Sequence, residues 1–394
     1  MASITAPVRT PYDVSALRET EFPWTRDTIY LNHAGIGPIP ERARLALEDY
    51  ARERVAPTTL TDDRLMAVLS AGRAKAARLI GADPGEIALT TNTSFGLNLA
   101  ARMLPLAPGD IVLVSDQDFP ANVFPWRQIA DRGVRLEILP RTPAGWPDEA
   151  RMLERMQDAR VKVLAVSHVE FHTGYRLDLD GLGAAARATE TFFVVDAIQA
   201  LGHVPLDVAT TPVDILSCGA QKWLLSPWGS GFMYVRRGLI QQLESPLAGW
   251  NAYEGNQNFS TLVDYGGKLH SDARRFELWT LPYQDLLGMT LSLDLLDELG
   301  IDRIEEHVAH IGQPVREWAH RAGVRLKSPE GARDSGIISL VAADIPEGLA
   351  TLRTAGVATC VREGGLRLAP HCYNTIEEME RVVKLLQRSL SAHR

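Results

Sequence analysis

The chain has 394 residues, 45% hydrophobic and 23% charged, a composition that excludes a disordered, fibrous or membrane-spanning protein. Its formal charge of −8 leaves no basic field to gather phosphate backbones, so nucleic acid is excluded as a general partner. Three cysteines, Cys218, Cys360 and Cys372, are too few and too irregularly spaced for a disulfide framework or a four-ligand zinc site.

A reducing, cytoplasmic setting is therefore expected. The opening MASITAPVRT lacks the apolar core of a secretory signal, and no run approaches the roughly 18 to 20 apolar residues of a membrane span. One hydrophobic core stops growing at about 250 to 300 residues, so this length predicts a large domain plus a smaller one.

In chain order, residues 1–30 form a polar arm with Pro7 and Pro11, expected to pack with the smaller domain. Two helices are predicted between Ile39 and Ile80, interrupted at Pro57 to Thr59. Seven apolar runs of strand length follow: Ile87–Thr91, Ile111–Ser115, Val134–Leu139, Val161–Ser167, Phe192–Val195, Ile215–Cys218 and Phe232–Val235. Runs that are apolar throughout suit strands covered on both faces, so residues 31–290 read as an α/β domain with a mainly parallel central sheet.

Helical stretches at Tyr283–Leu299 and Ile301–Ala322 lead into a smaller α+β domain, residues 291–394. Its strands are predicted at Val324–Lys327, Ile337–Val341 and, as one continuous run, Val357–Leu368. It ends in TIEEMERVVKLLQRSL, where Thr375 and Glu378 have capping-box spacing and Ile376, Met379, Val382, Val383 and Leu386 make one apolar face.

Ligands of parallel sheets bind outside the carboxyl ends of the strands, which directs attention to the polar residues that follow the apolar runs. Asp196 follows Phe192 to Val195 without a break; it caps the next segment or pairs with a cation. Lys222 lies 26 residues later among apolar neighbours. It is either a solvated charge or a desolvated amine able to form a Schiff base with an aldehyde. In TTNTSFGLNLAARML a strand runs into a helix through Thr93 and Ser94, which are helix caps or the cradle of a phosphate. Asp118 and Phe119 follow a further run.

Aldehyde on lysine, ring nitrogen on aspartate, phosphate at a helix start and ring face on an aromatic together describe pyridoxal 5′-phosphate. VVDAIQALGHVPLD, DILSCGAQKWLLSPWGSGFMYV and RRFELWT resemble the class V aminotransferase group, which includes cysteine desulfurases, isopenicillin N epimerase and kynureninase. The likeness runs from YLNHAGIGPIP to YNTIEEMERVV, nearly the whole chain.

The resemblance implies a fold-type I pyridoxal phosphate enzyme and a homodimer with shared active sites, acting at the α-carbon of an amino acid or related amine. It implies that Lys222 carries the cofactor aldehyde and moves protons, and that Asp196 keeps the ring nitrogen protonated. Gln199 would bond the ring hydroxyl, Thr93, Ser94 and Gln221 the phosphate, and Phe119 would stack on the ring. Arg367 resembles the arginine that grips the substrate carboxylate, with Arg362 a second candidate for that role. His33, Phe171, His172 and Trp250 are assigned to the substrate pocket. Thr280 would reach the phosphate across the dimer interface.

Three departures bear on this. Gln221 stands where many relatives have histidine, Gly219 where some have serine, and Trp279 where glycine is common. The desulfurase nucleophile needs a cysteine loop, whereas VATCVREGGLRLAPH reads as passing straight through. An aminotransferase-like reaction is therefore the primary reading, with carbon–sulfur lyase or epimerase as the alternative. Outside the cofactor class stand a metal-dependent hydrolase, if His168, Glu170 and His172 share one strand face, and a cofactor-less binding protein.

Overall fold

The computed structural model describes residues 12–247, 249–256, 260, 262–263, 265–278 and 280–390. A helix, Val14–Glu21, starts at Asp13, whose Oδ1 accepts from the Ala16 N–H at 3.0 Å. Strand β1 (Ile29–Tyr30) precedes two helices, Glu41–Val55 and Asp62–Leu79, separated around Pro57 as the sequence indicates.

Seven strands then build the large sheet: β2 (Ile87–Thr90), β3 (Ile111–Ser115), β4 (Arg135–Leu139), β5 (Val161–Ser167), β6 (Phe192–Asp196), β7 (Ile215–Gly219) and β8 (Gly231–Val235). Their spatial order is β2-β8-β7-β6-β5-β3-β4. β8 alone runs against its neighbours, so the sheet is mainly parallel. Each strand except the edge strand β4, where Arg135 and Ile138 are exposed, feeds two cores at once. Ile111 and Leu113 enter one and Val112 and Val114 the other, which is why these segments carry no polar alternation.

The C-terminal portion adds β9 (Arg325–Leu326), β10 (Ile338–Val341), β11 (Val357–Ala358), β12 (Cys360–Arg362) and β13 (Gly365–Leu368). β12-β13-β10-β9 form an antiparallel sheet over its own core, covered by helices Ile301–Ala322 and Ile376–Leu386. The last helix carries the Thr375–Glu378 capping box.

The single run expected at Val357–Leu368 is instead three strands. β11 leaves this sheet to pair in parallel with β1, and β12 turns back into β13 through Glu363 and Gly364. Both turn residues have positive φ, 44° and 75°, the backbone that a two-residue type I′ hairpin demands and that glycine supplies without strain. Alternation of apolar residues is the same in one strand as in two folded back, so periodicity could not show the reversal.

The arm lies on the C-terminal portion. Tyr12 donates to the Cys372 carbonyl at 3.0 Å, and Arg18 reaches both the Tyr373 carbonyl (2.9 Å) and Glu378 (2.7 Å). The helix Tyr283–Leu299 packs through Leu286, Met289 and Leu293 on the same core as Leu69 and Ala76.

Candidate active site

The carboxyl ends of β2, β6 and β7 open on a cavity of about 270 Å³, near the lower end of small-molecule pockets. Asp196, Gln199, Lys222, Thr93, Ser94 and Gln221 all line it, together with Phe119, Phe171 and Arg367.

Lys222 sits three residues past β7 with its Nζ 5.4 Å from the Phe119 ring centroid. Among the described residues that amine has no hydrogen bond and no ion pair. Burial lowers its pKa, Arg367 lowers it further, and Asp196 opposes both, leaving it at about 8. The amine is therefore far closer to its nucleophilic form at neutral pH than a surface lysine.

Asp196 is the last residue of β6 and is 2% exposed. Burial raises its pKa, as does the charge of Asp118. Its Oδ1 accepts from the Ile198 N–H at 3.0 Å, and Oδ2 has no donor among the described residues. Asp118 is a brace: it accepts from Ser167 Oγ (2.6 Å), Asn122 Nδ2 (2.9 Å) and the Phe119 N–H (2.6 Å). That ties the Phe119 loop to the end of β5.

The helix Thr93–Met103 is capped by Asn92, whose side chain accepts from the Phe95 N–H at 2.9 Å. Thr93 and Ser94 are therefore not the cap. They occupy the first turn, where their N–H groups lack intrahelical partners. The turn is fixed to β7, since Thr93 Oγ1 accepts from the Gly219 N–H (2.8 Å) and Ser217 Oγ donates to the Thr93 carbonyl (2.9 Å). A Cβ at Gly219 would fall 2.6 Å from Gln221 Oε1 and 3.2 Å from the Thr93 nitrogen. Gln221 thus occupies the space that a serine at 219 would need.

Arg367, on β13, is 1% exposed and among the described residues has no carboxylate within ion-pair distance. Its Nη1 donates to the Phe171 carbonyl at 2.5 Å, while Nε is buried without a partner. Such a cation is incomplete until an anion reaches it.

Several expected residues lie elsewhere. His33 is fully buried, with Nδ1 2.7 Å from the Ala369 carbonyl and Nε2 2.6 Å from the Tyr373 hydroxyl, and does not line the cavity. His172 also stays off the lining, 3.4 Å from Arg141 Nη2. Trp250 and Thr280 lie off it too, Thr280 being exposed; Trp279 lies outside the described residues. Within RRFELWT, Glu277 has a structural role, accepting from Arg73 Nε (2.8 Å), Arg73 Nη2 (2.6 Å) and the Leu89 N–H (2.9 Å).

The metal reading is not supported by the geometry. β5 ends at Ser167, so the alternation that would align His168, Glu170 and His172 stops; His168 lines a separate cleft with Arg176, and Arg141 engages Glu170. Among the described residues no three His, Cys, Asp or Glu side chains are grouped to hold a metal ion. Cys360 donates to Asn32 Oδ1 at 3.1 Å, and neither it nor Cys372 lines the cavity.

Sequence reading missed Trp223, Asn92 and Trp228. Trp223 donates through Nε1 to Gln199 Oε1, and Trp228, 65% exposed, stands at the cavity wall. The Lys-Trp and Thr-Asn-Thr neighbours of the flagged residues were the available signals.

Among curated relatives, isopenicillin N epimerase of Streptomyces clavuligerus is 31% identical over 91% of this chain and 94% of its own length. The uncharacterized aminotransferase YcbU of Bacillus subtilis is 28% identical over 78% of this chain and 80% of its own. The apo cysteine desulfurase of Thermococcus onnurineus superposes with a TM-score of 0.84 at 23% identity, covering 98% of this chain and 99% of that one. No helix among the described residues is long and apolar enough to cross a membrane. With the family model for aminotransferase class-V matching residues 29–390, the chain belongs to the class V aminotransferases, a family of pyridoxal 5′-phosphate enzymes.

Proposed function

We propose that the cavity holds pyridoxal 5′-phosphate and that the enzyme moves a proton at the α-carbon of an amino acid or related amine, in an aminotransferase-type reaction. The carrying observation is the meeting of an unpaired, desolvated Lys222 amine, the buried Asp196 carboxylate and the anion-free Arg367 guanidinium on one small cavity. The residues fit the group: the donors of the Thr93–Ser94 turn suit a phosphate, and Phe119 offers a ring face.

When bound, the cofactor supplies an electron sink for the pair released at the α-carbon. Lys222 Nζ would hold the aldehyde carbon, and its amine, with a pKa lowered by burial, would take and return the proton at the substrate's α-carbon. Asp196 holds a proton on the pyridine nitrogen, and the second hydrogen of Gln199 Nε2 is available to the ring hydroxyl oxygen. Arg367 takes the substrate carboxylate in a two-pronged hydrogen bond and orients the bond to be broken.

Besides Lys222, the only titratable side chains on the cavity wall are Asp196 and two arginines, among the described residues. A single amine would return the proton on the side from which it took it, and the cavity wall gives no second titratable group for delivery from the opposite side, which favours transamination over epimerisation. Elimination of a β-sulfur group uses the same Lys222 step and is the second reading. Thr280 is exposed and off this cavity, so its contact with a phosphate requires a second copy of the chain; a homodimer follows from that assignment. A panel of amino acids, scored together for keto acid, ammonia, sulfide and loss of optical activity, separates these reactions. A preparation that takes up no borohydride-fixable cofactor sinks the reading altogether.

A further inference from the structure

Arg362 and Arg367 lie on the same face of one hairpin. In the register of β12 with β13, Cys360 opposes Arg367 and Arg362 opposes Gly365, so the two arginines are diagonal neighbours. Such positions are roughly 7 to 8 Å apart, within reach of one short molecule. Both side chains line the cavity, Arg367 buried and Arg362 exposed at its rim.

Neither has a carboxylate partner among the described residues. Arg362 Nη1 donates to the neighbouring Val361 carbonyl, a contact that leaves its charge unbalanced. Glu170, the carboxylate beside Thr173, is engaged by Arg141. The spacing is fixed: the turn has two residues, and Lys327 Nζ donates to the Glu363 carbonyl at 2.8 Å. Burial presses on the charge of Arg367, and the positive charge of Arg362 presses on it further.

We infer that the substrate carries a second anionic group: an α-amino acid whose short side chain ends in a carboxylate, with Arg367 on the α-carboxylate and Arg362 on the distal one. This rests on the proposed chemistry at the same site and narrows its substrate class. An exposed guanidinium cannot discriminate by orders of magnitude, so the expected preference is modest.

The test uses the cofactor-loaded enzyme and two unreactive probes, glutarate and its monoamide, which differ only in the charge of one end. Titration calorimetry should find glutarate bound about fivefold tighter, the size an exposed ion pair supports. Arg362→Gln should erase that difference, and glutamate should likewise outcompete glutamine as a substrate in the unaltered enzyme. Melting temperatures show whether the variant is folded, and the two wild-type comparisons stand without it. Equal binding of the two probes by the wild type, or a preference that survives Arg362→Gln, overturns the inference. Loss of the borohydride-fixed cofactor adduct is read separately and strikes the underlying reading instead.

Discussion

Gln199 is clamped at both ends by groups that leave its amide one orientation. Trp223 Nε1 donates to its Oε1 at 2.9 Å, and its Nε2 donates to the Ala34 carbonyl at 3.0 Å. An indole N–H has no acceptor role and a carbonyl no donor role, so the amide cannot flip. The nitrogen's second hydrogen is what Gln199 has left to offer the cavity. Trp223 is itself held, stacked on His203 at 3.5 Å between ring centroids with its carbonyl accepting from His371.

Trp223→Phe should therefore act through Gln199. The aromatic body remains and the donor is lost, at about 1 kcal/mol, which is roughly fivefold in cofactor affinity. The bound cofactor's absorption maximum should move in the direction produced by Gln199→Ala. A purely structural role for Trp223 would lower the melting temperature and leave the spectrum where it was.

The depressed pKa of Lys222 sets a pH window. Its folded value of about 8 lies below the ordinary 10.5 because burial penalises the ammonium, so the free amine accumulates as pH rises through 8. Condensation of the cofactor-free chain with added pyridoxal phosphate should accelerate from pH 7 and level off above pH 9. Were the lysine ordinary, the rate would keep rising beyond pH 10. Lys222→Ala should remove the borohydride-fixed adduct at every pH.

Glu277 is 1% exposed and holds Arg73 in two hydrogen bonds while accepting from the backbone of β2. Glu277→Ala strands a guanidinium in the interior and should cost about 3 to 5 kcal/mol of stability. Urea unfolding of this variant against Glu254→Ala, an exposed carboxylate in the neighbouring segment, measures the difference.

Much of this architecture was legible in the chain. The runs Ile111–Ser115 and Val161–Ser167 are strands with the bounds read from the sequence, and so is the helix Tyr283–Leu299. Asp196 was legible because a polar residue ending an apolar strand has few reasons to be there, and Lys222, three residues past its strand, because its neighbours are apolar. That His33 and His172 do not line the cavity was not legible, because a histidine near a motif looks the same whether its nitrogens face a ligand or, as in His33, a carbonyl and a tyrosine.

What the sequence alone determined is what neighbouring residues decide among themselves: hydrophobic period, caps, strand ends and the residue types at them. What only the tertiary structure decided is pairing between distant segments. Trp223 meets Gln199, Glu277 meets Arg73 and β2, and Arg362 comes beside Arg367 through a reversal that alternation cannot reveal. The reason is physical: local patterns follow from backbone geometry, whereas long-range contacts depend on how whole elements pack, and many different residue pairs satisfy the same local rules.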